Sequence, residues 1–350
     1  MFTPTKGGEH VSDREGLLED IVAAALTLNA SDIHFDPVDG LVEVLFRVHG
    51  SLLPAVRVMD IEPRVTRAVV QRLKVLGRLA LGDQRRAQDG HIRMQTFAGT
   101  CDLRVAIVPT VTGERAVARL VSVGQSALAL SELGMHGDVL AEVRQVSAMR
   151  SGLILVAGRV GAGKSTTMRS LLKERSDAGE SVLTIEDPVE LMIPCYRQIA
   201  VDEKQGWTFA ECLRAALRQD PDCLMVGEIR DEETAQIAVR AGLTGHLIVT
   251  SVHASAPEQA ILRLVELGNR PSFVRQAVVL VIWQRLVRTV CPDCHGEGCD
   301  GCRGTGAGGR VAQFRVLNRQ VINLLLADRG APLRLETDPE RLLSAPSARD

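Results

Sequence analysis

The stretch LILVAGRVGAGKSTT, residues 153–167, decides the fold. It begins with an apolar run suited to a buried strand, passes through Gly158, Gly161 and Gly163, and ends in residues able to start a helix. The spacing GxxxxGK[ST] is met by Gly158, Gly163, Lys164 and Ser165. Strand, glycine turn and helix together make a phosphate cradle. Glycines let the backbone curl so that successive amides, from Gly161 and Ala162 to Thr166, point inward, and the helix that starts there adds its positive end. Lys164 would reach the β and γ phosphates of a nucleoside triphosphate, and the Ser165 hydroxyl would join the shell of a Mg²⁺ ion.

Working outward, SVLTIED (181–187), CLMVGE (223–228) and HLIVTS (246–251) read as short buried strands alternating with helices. That alternation predicts a parallel sheet wrapped on both faces, with every strand end opening on one edge, where ligands bind. Glu186, Asp187 and Glu190 fall at one such end and Glu228 at another, placed to hold Mg²⁺ through water or to orient an attacking water. The same acids could instead cap helices. Arg214 and Arg218, four apart and hence on one helical face, are candidate nucleotide contacts. His246 stands at the beginning of a strand and His253 just past its end; either alone reads as readily as a structural histidine.

Before this region, the pattern predicts a helix over 15–30, two strands, an amphipathic helix over 61–80 and strands at 91–96, 101–108 and 115–121. The order indicates a small α+β domain. The expected organisation is a disordered stretch 1–14, an N-terminal domain 15–122, a hinge 123–137, a nucleotide-binding domain 138–290, a zinc subdomain 291–310, and a C-terminal helical segment and tail 311–350.

A net charge of −2 supplies no field for gathering nucleic acid, and 3% aromatic residues leave few stacking platforms for single-stranded bases. The N-terminal residues lack the apolar region of a secretory signal, and no apolar run reaches the length of a membrane span. These features lead to the expectation of a cytoplasmic protein, where thiols stay reduced. In that setting CPDCHGEGCDGC, residues 291–302, reads as one tetrahedral Zn²⁺ site made by Cys291, Cys294, Cys299 and Cys302, following a helix that ends near Arg288. Redox dithiols and haem attachment through CPDCH are the alternatives.

Taken together, the phosphate loop, TIEDPVE, LRQDPDCLMVGEIRDEETAQIAVRAGLTGHL, GHLIVTSVH and the cysteine motif resemble the type II secretion and type IV pilus assembly ATPases. The front-domain stretches ASDIHFDP, QDGHIRM and DLRVAIVPTVTGERAVARL carry the same resemblance, which runs from about Glu15 to Leu326. It implies a RecA-like P-loop NTPase domain preceded by a smaller α+β, PAS-like domain, with a C-terminal tetracysteine zinc subdomain. It further implies a short form without an extra N-terminal domain. The implied activity is ATP hydrolysis by a homohexamer, using ATP, Mg²⁺ and Zn²⁺, to drive pilus or pseudopilus assembly, including DNA-uptake pili. An inner-membrane platform protein is the implied partner, with peripheral attachment to the inner face of the cytoplasmic membrane through partners and no direct nucleic-acid contact. Arg104 and Arg119 are implied as arginine fingers, Glu190 and Glu228 as the hydrolytic carboxylates, and His246 and His253 as relays of the γ-phosphate state. Two other readings compete: a nucleic-acid translocase with a DNA-binding zinc knuckle, and a non-hydrolysing nucleotide-gated scaffold.

Overall fold

The computed structural model describes residues 16–55, 64–122, 127–135, 137–299, 301–302 and 304–327. The expected disordered start, parts of the expected hinge and the tail beyond residue 327 lie outside them. The chain divides into two units, residues 1–125 with 289–309, and residues 126–288 with 310–350.

In the first unit, α1 (Leu17–Thr27) precedes β1 (Asp32–Val38), β2 (Leu41–Val48), β3 (Ser51–Pro54) and β4 (Arg64–Val65). Then come α2 (Ala68–Leu76), β5 (Gln88–Thr96), β6 (Gly99–Thr110) and β7 (Gly113–Ser122). The strands form an antiparallel sheet in the order β3-β2-β1-β7-β6-β5, with β4 against β2. Alternation puts Val42, Val44, Phe46 and Leu103, Val105, Ile107 on one face, where they pack with Leu18, Ile21 and Val22 of α1 and Val69, Val70 and Leu73 of α2. The other face is charged. The α2 helix is shorter than the periodicity of 61–80 predicts: Arg64 and Val65 pair with Glu43 and Val42 of β2, and the helix stops at Gly77, ahead of Arg78 in the left-handed region.

In the second unit, α3 (Gly137–Ser147) leads to β8 (Gly152–Ala157), α4 (Lys164–Asp177), β9 (Val182–Glu186), β10 (Arg197–Ala200), α5 (Phe209–Ala216) and β11 (Cys223–Val226). Next are α6 (Glu232–Leu243), β12 (Leu247–Val252), α7 (Pro257–Glu266), α8 (Pro271–Ala277), β13 (Val278–Val290), β14 (Ala307–Asn318) and α9 (Arg319–Ala327). The sheet order is β10-β9-β11-β12-β8-β13-β14, and the strands from β10 to β13 pair in parallel. Side-chain alternation along β8 feeds two cores at once. Leu153, Leu155 and Ala157 pack with residues of α5, α6, α7 and α8, whereas Ile154 and Val156 pack with Met168, Leu171 and Leu172 of α4. This is the two-faced parallel sheet that the short apolar runs predict.

Helix starts follow from local chemistry. Asp231 caps α6 by accepting from Thr234 N at 2.8 Å, Thr208 caps α5 by accepting from Glu211 N, and prolines stand at the first positions of α7 and α8. Two segments differ from expectation. Where a helix is expected to end near Arg288, residues 278–290 form β13; its continuous run of Val, Leu, Ile and Trp packs better as a strand buried on both faces. Of the segment 311–350 expected to be helical, residues 311–318 belong to β14, and among the described residues 319–327 form α9.

Candidate functional site

Because the strands of the second sheet run parallel, Gly158 after β8, Asp187 after β9, Glu228 beyond β11 and His253 after β12 all emerge at one edge. At the phosphate loop, φ is +154° at Gly158, +75° at Gly161 and +88° at Gly163, all in the region that favours glycine. Gly158 is also confined by its neighbour: a Cβ there would lie 2.5 Å from the main-chain oxygen of Gln284. Gly163 hands over directly to α4, so the first turn of that helix faces the loop.

Lys164 is buried. Its Nζ donates to Gly158 O at 3.1 Å and Arg159 O at 3.2 Å, and lies 3.3 Å from His253 Nδ1. Burial lowers its pKa below the ordinary lysine value, partly countered by the Glu228 carboxylate. His253 Nε2 in turn lies 3.4 Å from Glu228 Oε2. Glu228 also pairs closely with Arg230, whose other guanidinium nitrogen is 3.6 Å from Asp187. Lysine, histidine and carboxylate therefore form one connected set, the arrangement needed to hold phosphate oxygens beside a group that can orient water. Ser165 is half-buried and Thr166 exposed on the first turn of α4.

The remaining predicted residues distribute as follows. Glu186 is buried inside a polar network: its Oε1 accepts from Thr184 Oγ1 at 2.8 Å and Gln198 Nε2 at 2.9 Å, and its Oε2 from Arg169 Nη2 at 3.1 Å. The same Arg169 nitrogen lies 3.6 Å from Glu190, which is more open. Arg214 pairs with Glu211 and Glu233. Arg218 does not share its helix, because α5 ends at Ala216; Asp220, with φ of +50°, precedes Pro221 and turns the chain. His246 precedes β12 at the opposite edge, seven positions from His253 and hence ~20 Å away along the strand. Its Nδ1 is buried without a partner.

Two side chains missing from the sequence reading hold this edge together. Arg169, inside α4, ties the phosphate-loop helix to Glu186 and Glu190. Gln284 of β13, at 2% exposure, donates from Nε2 to Ala162 O at 2.6 Å. Its only signal in the sequence is a polar residue ending the apolar run VVLVIW.

In the first unit Arg104 and Arg119 are direct partners across β6 and β7. Like charges placed opposite one another destabilise a sheet. Asp32 offsets this, accepting from Arg119 Nε at 2.9 Å with Arg47 at 3.7 Å. Burial alone would raise Asp32, but the bonds from Ser31 and Arg119 and the attraction of both arginines hold it below its ordinary value.

The four cysteines converge. Sulfur separations are 3.9 Å for Cys291–Cys299, 3.6 Å for Cys294–Cys302 and 3.7 Å for Cys299–Cys302, and all four atoms lie within 4.8 Å of one another. A ZnS₄ tetrahedron with bonds of ~2.3 Å has edges of ~3.8 Å, so the set fits a metal. Amides of Gly298 and Gly306 donate to Cys294 and Cys302 at 3.2 Å each, the outer bonds that steady thiolate ligands.

Residues 9–333 match the family described as Type II/IV secretion system protein. The type IV pilus assembly ATPase PilB of Thermus thermophilus is 36% identical, covering 91% of this chain and 39% of its own length. The type II secretion system protein HxcR of Pseudomonas aeruginosa is 40% identical over 84% of this chain and 64% of its own. The chain thus spans only part of the length of these relatives. Among solved structures, the pilus retraction motor PilT with bound ADP is similar with a TM-score of 0.66 and 26% identity, covering 88% of this chain and 86% of that one. Among the described residues, no helix is long and apolar enough to cross a membrane.

Proposed function

Since the chain belongs to the Type II/IV secretion system protein family, we propose that it is an ATP-hydrolysing motor for pilus or pseudopilus assembly or type II secretion. The observation that carries this reading is the linked set Lys164–His253–Glu228 at the mouth of the phosphate loop, with contacts of 3.3 Å and 3.4 Å. Amides from Gly161 to Thr166 and the Lys164 ammonium hold the triphosphate, and Ser165 contributes its hydroxyl to Mg²⁺. Glu228 orients the attacking water, and His253, touching both Lys164 and Glu228, senses whether the terminal phosphate is present. Glu190, held near by Arg169, is the second acidic group. Arg104 and Arg119 act as arginine fingers, neutralising charge that spreads over the transferring phosphoryl group. An anion there would also relieve the repulsion between them.

The finer parts of the proposal are a RecA-like nucleotide domain with a PAS-like front domain, a homohexamer, attachment to an inner-membrane platform protein on the cytoplasmic side, and a structural Zn²⁺. The metal supplies a crosslink through four thiolates. His246, at the far edge of its own sheet, would act across a contact between copies, as would Arg214 and Arg218.

Purified protein should hydrolyse Mg²⁺-ATP, and Glu228→Gln should keep nucleotide affinity while losing turnover about 100-fold or more. Specific activity should rise with protein concentration if fingers come from a neighbouring copy. Equal near-zero rates in wild type and variant would instead mark a nucleotide-gated scaffold.

A further inference from the structure

Gln284 lies beneath the phosphate loop, and its contacts there are more specific than core packing requires. Register pairs Trp283 with Ala157, so Gln284 stands beside Gly158, where the loop begins. Its main-chain oxygen is the atom that a Cβ on Gly158 would strike, and its Nε2 lies 3.1 Å from where a Cβ on Gly163 would be. The same Nε2 donates to Ala162 O at 2.6 Å. Its Oε1 is buried and has no hydrogen-bond partner. An amide facing a carbonyl must present its nitrogen, so the side chain cannot turn over to satisfy that oxygen without losing the bond to Ala162. An orphaned buried oxygen costs stability, and an apolar side chain of the same length would avoid it. What the polar group contributes in return is its bond to Ala162 O.

That bond fixes one peptide plane. In a trans peptide the carbonyl and the following N–H point in opposite directions. Drawing Ala162 O toward β13 therefore turns the Gly163 N–H away from β13. We propose that Gln284 is a positioning residue for nucleotide phosphate binding, acting through the Ala162–Gly163 peptide to aim the Gly163 amide at a nucleoside di- or triphosphate. This rests on the reading of the loop as a nucleotide site.

The test measures Mg²⁺-ADP affinity by calorimetry on the full chain for wild type, Lys164→Ala, Gln284→Met and Gln284→Glu, at a temperature where circular dichroism shows each folded. Gln284→Met should bind about tenfold more weakly than wild type, the worth of one lost hydrogen bond. Gln284→Glu can donate to Ala162 O only when protonated, and burial raises the carboxyl pKa, so its affinity should climb toward wild type as pH falls from about 8 to about 6. A packing role alone would leave Gln284→Met at wild-type affinity, and only together with that loss does the pH response of Gln284→Glu report on the donor, because an ionised carboxylate there also repels phosphate. Wild type that binds while Gln284→Met binds equally, or a flat ratio of Gln284→Glu to wild type across that range, overturns the assignment alone. Wild type that binds no better than Lys164→Ala overturns the nucleotide site itself, and the assignment with it.

Discussion

Replacing Arg169 with methionine tests whether the phosphate-loop helix is fastened to the acidic segment by charge. The Arg169 side chain is 12% exposed and that of Glu186 6%, with 3.1 Å between their nearest atoms. At an effective dielectric near 20, charges ~3 Å apart attract by roughly 5 kcal/mol. Removing the guanidinium also removes its own desolvation cost, so the expected net loss is about 3 kcal/mol, within the range for leaving one member of a buried pair alone. Thr184 and Gln198 still donate to Glu186 in the variant, but they do so in the wild type too and recover nothing. Both tryptophans, Trp207 and Trp283, lie in the second unit, so intrinsic fluorescence during urea unfolding reports on the part of the chain that holds the pair. The double variant Arg169→Met with Glu186→Gln removes both charges and should return to within about 1 kcal/mol of wild type. Should Arg169→Met unfold within about 1 kcal/mol of wild type, or the double variant lose as much as the single, the electrostatic account of this contact is wrong.

Two further outcomes follow from the site. Alanine at the loop glycines should impair Mg²⁺-nucleotide binding in the order Gly158 over Gly163 over Gly161, as read by equilibrium titration. Gly158 meets fixed backbone at 2.5 Å, Gly163 meets a side-chain amide at 3.1 Å, and Gly161 meets nothing within 4 Å and bears only the strain of φ +75°. A chelator strong enough to strip thiolate-bound metal should release about one Zn²⁺ per chain, counted by metal analysis, and lower the melting temperature; neither change should occur once Cys294 and Cys302 are both replaced by serine.

Much of the candidate site was legible because its signals are local. Glycine spacing before Lys164 specifies a backbone shape, and short apolar strands between helices specify a parallel sheet, which brings Glu228 and His253 to the same edge as the loop. The residues that brace the loop were not legible. Arg169 has the spacing of any helix-surface arginine, and only the fold reveals that it faces the buried Glu186 across α4 and β9. Gln284 interrupts nothing until β13 is known to lie beside β8. Strand and helix are also hard to tell apart at 278–290, because the buried half, 278–284, lacks the alternation that marks a half-buried strand. Arg218 missed its helix because the turn before Pro221 acts within two residues, below the resolution of a four-residue spacing argument. Pairing between Arg104 and Arg119 depends on register across β6 and β7, which no single segment encodes.

Lys164 already has partners inside the chain, the carbonyls of Gly158 and Arg159 and the ring of His253. An arriving phosphate must therefore barter with them, giving up contacts to neutral carbonyls for one between opposite charges. For the proposed motor, breaking those contacts subtracts from the energy of loading fuel, and remaking them assists discharge.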